Sequence, residues 1–331
     1  MSPPPERTDG EPVLRVRNLS TCFRTDSGVV TAVDDVSFDL WSGESLGIVG
    51  ESGCGKTVTS KAIMRLLPEH TSFLKPESQV LFDGRDLSKL GEREMRDVRG
   101  DRIAMIFQEP MTSLNPTYTV GWQLDEALRL HTTLDAAARR ARARELFGQV
   151  GIGALDRRLG QYPHELSGGL RQRVMIAMAI ACRPALLIAD EPTTALDVTV
   201  QAQILDLLLD LRDTTGMAIL LITHDLGVVA ESCNEVAVMY AGRIVERAAV
   251  EPLFARPRHP YTAGLMASIP KLSSGHGRLP TIAGTVPPPG TRPSGCSFAD
   301  RCGRRLARCA TDRPRLAGEA DHQVACWNPA A

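Results

Sequence analysis

Gly50-Glu51-Ser52-Gly53-Cys54-Gly55-Lys56-Thr57 fits the spacing G-x-x-x-x-G-K-[ST]. It follows a short apolar run, Ser45–Val49, that reads as a strand. It opens a segment, Lys56–Leu67, in which Val58, Ala62, Ile63 and Leu66 recur at helical spacing until Pro68. A glycine-rich turn between a strand and a helix is the context this motif needs, and an accidental turn would not carry it. The glycines let backbone N–H groups curl around the β- and γ-phosphates, and the helix N-terminus adds a favourable partial charge. Lys56 is expected to reach the β/γ oxygens, and the Thr57 hydroxyl to ligate Mg²⁺. The predicted ligand is therefore Mg²⁺–ATP, held by Gly50, Ser52, Gly53, Gly55, Lys56, Thr57 and Val58.

Three further runs, Ile103–Phe107, Leu186–Ala189 and Ala218–Ile222, are continuously apolar, as strands buried on both faces of a sheet are. The second ends in Asp190-Glu191. Asp190 is expected to hold Mg²⁺, generally through water, and Glu191 to polarise the attacking water. By itself this hexapeptide is as readily an acidic turn after a core strand; the phosphate loop shifts that balance. Thr199–Arg212 reads as an amphipathic helix, so strands and helices alternate as in an α/β fold.

Outside that frame the sequence changes character. Pro12–Asn18 and Gly28–Trp41 alternate like strands around a turn-prone Arg24–Gly28. From about 115 to 165 no strand-like run occurs, and Thr133–Gly148 is rich in Ala, Arg and Leu, which predicts a helical insertion. Beyond about Arg256 the composition turns to Pro, Gly, Arg and Cys with little periodicity. Such a tail builds no large core without a staple. Residues 1–11 are polar and Pro-rich, with no apolar core of the kind a secretory signal needs, and are expected to form a disordered lead-in.

Of 331 residues 43% are hydrophobic, enough for a real core, and 38 basic side chains nearly balance 39 acidic ones. Nothing in that balance argues for a nucleic-acid partner. No window of about 18 uncharged apolar residues occurs, so no membrane-crossing helix is expected. Work at a membrane would then require docking by another subunit. Cys296, Cys302, Cys309 and Cys326 crowd the tail, separated by five, six and sixteen residues. With no export signal, a metal site is the better reading of the four than a disulfide framework. Four thiolates can hold a [4Fe–4S] cluster or bind Zn²⁺. The spacing lacks the tight C-x₂-C knuckles of many zinc sites, which favours the cluster, with unliganded thiols as the other reading.

Kinases, GTPases, helicases and transporters all carry such phosphate loops, and the other motifs decide among them. Leu166-Ser167-Gly168-Gly169-Leu170-Arg171-Gln172-Arg173 resembles the signature motif of ATP-binding cassette (ABC) ATPases. Gln108 matches the family's Q-loop, Ala195-Leu196-Asp197 its D-loop, and Ile222-Thr223-His224-Asp225 its switch histidine. Phe23 sits where the family places an aromatic under the adenine ring. The resemblance implies an α/β P-loop domain with a mixed sheet, a helical subdomain at about 115–165 and a Cys-rich C-terminal extension.

It also implies a division of labour. Two domains meet head to tail, so Ser167, Gly168 and Gly169 would contact the γ-phosphate bound to a partner. His224 would hold the γ-phosphate in its own site, Gln108 would bridge Mg²⁺ and the coupling region, and a lone chain would hydrolyse ATP slowly. Leu170 departs from the Gln that most members carry after Ser-Gly-Gly.

Longer stretches narrow the resemblance. Tyr162-Pro163-His164-Glu165, Gln108-Glu109-Pro110-Met111-Thr112-Ser113-Leu114-Asn115-Pro116 and Arg258-His259-Pro260-Tyr261-Thr262 resemble ATP-binding subunits of oligopeptide/dipeptide permeases. Ser27–Asp34 and Gly55–Met64 look closer to the D-type ATPase of those importers than to its F-type partner. The four-Cys tail is similar to the family's C-terminal extension, which in some relatives carries an iron–sulfur cluster. The implied partners are a second, F-type ATPase, two transmembrane permease subunits and an extracytoplasmic substrate-binding protein. The chain would sit peripherally on the cytoplasmic face of the plasma (inner) membrane. The implied domains are 12–262 for the cassette and 263–331 for the extension. Two alternatives remain: the same importer with nickel or another small solute as cargo, or a non-transport ABC ATPase acting on ribosomes or DNA. Against the second, the chain has neither a fused second cassette nor long coiled coils.

Overall fold

The computed structural model describes residues 10–108, 113–194, 196–269, 281–319 and 321–330. Two sheets carry the fold. In the smaller, β1 (Leu14–Thr25) pairs antiparallel with β2 (Gly28–Leu40) on one edge. On its other edge it pairs with the short β4 (Ser72–Leu74) and then β5 (Gln79–Phe82), which meets β6 (Arg85–Asp86). β1 therefore runs on through Phe23 and Arg24, past the turn expected at Arg24–Gly28. Strands on both edges satisfy its backbone, a tertiary effect that overrides local turn preference.

The larger sheet is mixed. Its parallel part has β3 (Ser45–Val49) between β10 (Glu235–Tyr240) and β9 (Ala218–Thr223), followed by β8 (Leu186–Asp190) and β7 (Ile103–Ile106). Side chains alternate between two cores, as the pleat demands. Leu186, Ile188, Leu220 and Ile222 join a core with β1, β2, α1 (Lys56–Ile63) and α2 (Glu92–Val98). Leu187, Ala189, Ile219 and Leu221 join another, roofed by helices. Burial on both faces is the reason these strands read as unbroken apolar runs.

Over the second face lie α3 (Val120–His131), α4 (Ala136–Gln149), α5 (Leu155–Leu159) and α6 (Gly168–Ala179), so helices fill the stretch expected to be a helical insertion. α7 (Val198–Thr215) leads into β9, and α8 (Leu226–Ser232) leads out of it.

α1 is shorter than the Lys56–Leu67 span read from periodicity. Arg65 takes φ +50°, and the Arg99 guanidinium accepts no continuation: it donates to the Met64 and Arg65 carbonyls at 2.8 and 2.7 Å. Those carbonyls are satisfied without another helical turn.

The tail is better integrated than its composition suggested. After β11 (Arg243–Ala249), α9 (Val250–Ala255) and α10 (Pro260–Ala267), the chain returns as β12 (Ala317–Glu319) and β13 (His322–Val324). β13 pairs antiparallel with β11, extending the main sheet to eight strands. Phe298, Ala299, Cys309, Val324 and Ala325 are buried. Residues 1–9 of the expected lead-in, Glu109–Thr112 of the Gln108–Pro116 stretch, Ala195 of the expected D-loop and residues 270–280 of the extension lie outside the described residues.

Candidate active site

Parallel strands end on the same edge, and open α/β sheets bind ligands there. Gly50 follows β3, Asp190 ends β8, Thr223 ends β9, and Gln108 lies just beyond β7. The phosphate loop depends on missing side chains. A Cβ at Gly50 would lie 2.2 Å from the Met239 carbonyl oxygen, and Gly55 takes φ +110° with Met239 and Ala32 against it. Lys56 is buried, and its ammonium donates to the Gly50 and Glu51 carbonyls at 2.7 and 3.2 Å, which fixes a positive charge at the centre of the loop. Val58 packs against the core beneath, while Ser52 and Gly53 are exposed at the loop's crest.

Thr57 Oγ1 donates to Asp190 Oδ1 at 3.1 Å, so two of the three residues expected at Mg²⁺ stand side by side. Burial raises the Asp190 pKa above the usual carboxylate value. The Thr57 hydrogen bond lowers it, the neighbouring Glu191 charge raises it further, and Lys61 and Lys56 oppose that rise. A hydroxyl beside one nearly inaccessible carboxylate suits Mg²⁺, which takes one or two protein ligands and completes its shell with phosphate and water.

Glu191 is held from three sides. Its Oε2 accepts from Gln108 Nε2 at 3.3 Å and from Thr194 Oγ1 at 2.8 Å, and its Oε1 lies 3.3 Å from His224 Nδ1. Its backbone takes φ +48°, and its N–H is bound to the Ile222 carbonyl at 2.8 Å. The four residues come from three strand ends, so the sheet itself gathers them. Gln108, expected at Mg²⁺, donates to Glu191 rather than to Asp190. Thr194 was not among the expected residues. A hydroxyl three positions after a carboxylate is a weak local pattern, common in turns.

Ser167 caps α6 by accepting from Leu170 N–H at 3.4 Å, leaving Ser167 and Gly168 exposed at the helix start. Val200 of α7 would lie 2.9 Å from a Cβ at Gly169, which accounts for the second glycine. Leu170 is partly buried against the helical core. Among the described residues no hydrogen bond or ion pair joins Ser167–Gly169 to Gly50–Thr57. Asp197 caps α7 by accepting from Val200 N–H at 2.9 Å. Phe23 is half-buried on β1, opposite Val30 and Ser72.

Comparison with known proteins decides among the classes that share such a loop. The family profile "ABC transporter" matches residues 33–194, and the profile "Oligopeptide/dipeptide transporter, C-terminal region" matches 245–309. A "Probable peptide ABC transporter ATP-binding protein" of Sinorhizobium fredii is 55% identical over 317 residues, covering 95% of this chain and 94% of its own. The chain belongs to the ABC transporter ATP-binding proteins. The "Dipeptide transport ATP-binding protein DppD" of Bacillus subtilis is 50% identical over 318 residues, with 96% and 95% covered. Among solved structures, an ATP-binding cassette captured as a dimer after hydrolysis, bound to ADP and Pi, superposes with a TM-score of 0.64. It is 26% identical and covers 72% of this chain and 98% of its own. This ABC ATPase thus has the cassette fold, and among its described residues no helix is long and apolar enough to cross a membrane.

The expected metal centre in the tail of this ABC ATPase finds no support in the arrangement of the thiols. Among the described residues, no group of three or more His, Cys, Asp or Glu side chains is placed to hold a metal ion. The thiols are nonetheless neighbours. Backbone N–H groups of Arg304, Leu306 and Asn328 donate to the sulfurs of Cys302, Cys309 and Cys326 at 3.4, 3.5 and 3.4 Å. Burial pushes the Cys296 thiol up to about 11; the Phe298 N–H opposes this, and Cys309, Cys326 and Cys302 reinforce it. Burial likewise raises Cys326. Metal binding would first have to remove those protons.

Proposed function

We propose that this ABC ATPase powers an importer of di- or oligopeptides, working as a nucleotide-sandwich dimer with a second, F-type ATPase. The observation that carries the chemistry is Glu191, clasped by Gln108, Thr194 and His224 one residue beyond the buried Asp190. Gly50–Thr57 binds the triphosphate, and Thr57 and Asp190 would hold Mg²⁺, which would supply positive charge to neutralise the phosphates. Glu191 accepts the proton of the attacking water, with Gln108 and Thr194 fixing its orientation and His224 reaching toward the γ-phosphate. Ser167, Gly168 and Gly169 serve the partner's nucleotide, Asp197 lies along the dimer seam, and Phe23 stacks on adenine.

Glu191→Gln is expected to lower turnover about 10²- to 10⁴-fold while ATP binding persists. Normal turnover in that variant would remove Glu191 from the role.

The names of the similar proteins and the C-terminal profile support the peptide cargo. Docking to two transmembrane permease subunits, and through them to an extracytoplasmic binding protein, is supported by a 320 Å³ groove. Phe107, Leu66, Met105, Leu114 and Met178 line it, next to Gln108. A helix from a membrane subunit would suit this largely apolar trough and place the chain on the cytoplasmic face of the membrane. The proposed units are 12–262 for the cassette and 263–331 for the extension. Co-purification with two multi-span proteins and a second ATPase, with turnover stimulated by peptide-loaded binding protein, tests the assignment; stimulation by nickel alone would change the cargo.

For Cys296, Cys302, Cys309 and Cys326 we favour a [4Fe–4S] cluster over zinc. What supports that reading is the spacing in the sequence, five, six and sixteen residues, which lacks the tight C-x₂-C knuckles of many zinc sites. Anaerobic protein would then be brown and contain iron; colourless protein, with or without zinc, would refute the cluster.

A further inference from the structure

The phosphate loop is gripped from the far end of the chain. Arg301 lies between Cys296 and Cys302 in the extension, and its guanidinium forks the Glu51 carboxylate at 2.6 and 2.9 Å. Its remaining N–H groups donate to the Ala283 carbonyl at 2.8 Å, the Ile282 carbonyl at 3.3 Å and the Tyr240 hydroxyl at 3.3 Å. The Arg301 side chain is only 6% exposed, against 31% for Glu51, so this pair is shielded on the tail side and open toward the loop. Glu51 is also held by its backbone: its N–H donates to the Tyr261 hydroxyl at 2.8 Å, and its carbonyl accepts from Lys56 at 3.2 Å. Tyr261, Tyr240 and Phe298 pack edge-on or tilted against one another beneath the pair.

We propose that Arg301 is a positioning residue for ATP: through Glu51, the C-terminal extension sets the affinity of the phosphate loop. Two physical effects act in the same direction. A glycine-rich loop loses conformational freedom when it closes on phosphate, and anchoring its second residue beforehand removes part of that cost. Glu51 also places a negative charge one residue from Gly50, where it repels a triphosphate unless a cation neutralises it. A bidentate guanidinium neutralises the charge and fixes its direction together, which an ammonium cannot do. The extension thereby acquires a role in the catalytic cycle. Any rearrangement of the Cys296–Cys302 segment reaches the nucleotide through one side chain.

The inference rests on Gly50–Thr57 being the phosphate site, and the test separates the two. ATP affinity is measured on the full-length chain with a fluorescent ATP analogue, alongside thermal unfolding, for Arg301→Ala, Arg301→Lys, Glu51→Gln, the Arg301→Ala/Glu51→Gln double variant and Lys56→Ala. Arg301→Ala is expected to weaken binding about tenfold, by loss of a charge-assisted pair, and Arg301→Lys by less. The double variant should recover most of the loss, because no unpaired acid then faces the phosphates. In the assembled transporter the KM for ATP should rise with kcat little changed. Affinity within twofold of wild type in a folded Arg301→Ala protein overturns the proposal, as does a double variant no better than the single. If Arg301→Ala fails to fold, Arg301→Lys against Arg301→Lys/Glu51→Gln decides by the same comparison. Lys56→Ala should lose binding outright; if it binds normally, the phosphate-loop reading itself fails.

Discussion

His322 Nε2 and Glu246 Oε1 are hydrogen-bonded at 2.7 Å, with both side chains buried, and this contact fastens β13 of the extension to β11 of the cassette. The other Glu246 contacts are the backbone N–H groups of Arg258 and His259, at 2.6 and 2.9 Å. Glu246 therefore organises three segments at once: its own strand, the entrance to α10 and the returning tail. Removing one partner of such a buried group costs more than the bond is worth, because the other is left unsatisfied. His322→Ala is expected to destabilise the protein by about 2–3 kcal/mol, read by denaturant unfolding, with proteolysis beginning in the extension. Glu246→Gln replaces one carboxylate oxygen by an NH₂ that must face the N–H of Arg258 or of His259, and should cost at least as much. A Glu246→Gln protein as stable as wild type would show that the two backbone donors do not need both oxygens.

Asp190 stands where two demands conflict. Burial disfavours its charge, while a metal held between it and Thr57 would require that charge. Asp190→Asn keeps the acceptor for the Thr57 hydroxyl and removes the desolvated charge. The nucleotide-free variant is expected to unfold at the same temperature as wild type or a few degrees higher, while Mg²⁺-dependent turnover falls by about 100-fold or more. A clear loss of nucleotide-free stability would mean that the charge is needed for the fold.

Gly50 is the residue with least room. Its φ is +156°, and a Cβ would press on the Met239 carbonyl and the Cys54 sulfur, at 2.2 and 2.8 Å. The obstacle is backbone on the neighbouring strand β10, so relief requires moving the sheet or the loop. Gly50→Ala is expected to abolish nucleotide binding and to cost about 2 kcal/mol or more in stability. A variant that binds ATP normally would show that the loop can shift as a unit.

Much of this arrangement is legible in the sequence, for definite reasons. Strands β7, β8 and β9 are buried on both faces and so appear as bare apolar runs. Lys56 and Thr57 open α1 just past the glycine-rich turn, Asp190 ends β8, and Glu191, Gln108 and His224 follow strands within two residues, so short-range spacing fixes them. What escapes is long-range or carried by too few residues. β13 is three residues, His322-Gln323-Val324, and becomes a strand only because β11 offers an edge. Arg301 meets Glu51 across 250 positions with no periodicity to announce it. The early end of α1 depends on Arg99, a guanidinium 34 residues past the last carbonyl it satisfies. The composition of the tail suggested a segment lacking a core of its own. It does lack one, and instead buries Phe298 against Tyr240 and Tyr261 of the cassette side.

His259 makes the junction between cassette and extension sensitive to acid. Its ring is buried, its Nδ1 caps α10 by accepting from Tyr261 N–H at 3.1 Å, and burial pushes its pKa down from 6.5 to about 3. In the unfolded chain the imidazole takes up a proton near pH 6.5, whereas in the folded protein it stays neutral until about pH 3. Between those values the unfolded state binds more protons, so stability rises with pH. The contribution of His259 is fully present above pH 6.5 and is lost progressively as pH falls toward the folded value. Each unit of acidification in that window should cost up to about 1.4 kcal/mol from this one group. His259→Asn retains a side-chain oxygen for the cap and removes the titration. Measured from pH 7.5 to 4.5, the unfolding temperature of wild type should therefore fall more steeply than that of His259→Asn. Parallel slopes would show that the ring is protonated without leaving its pocket.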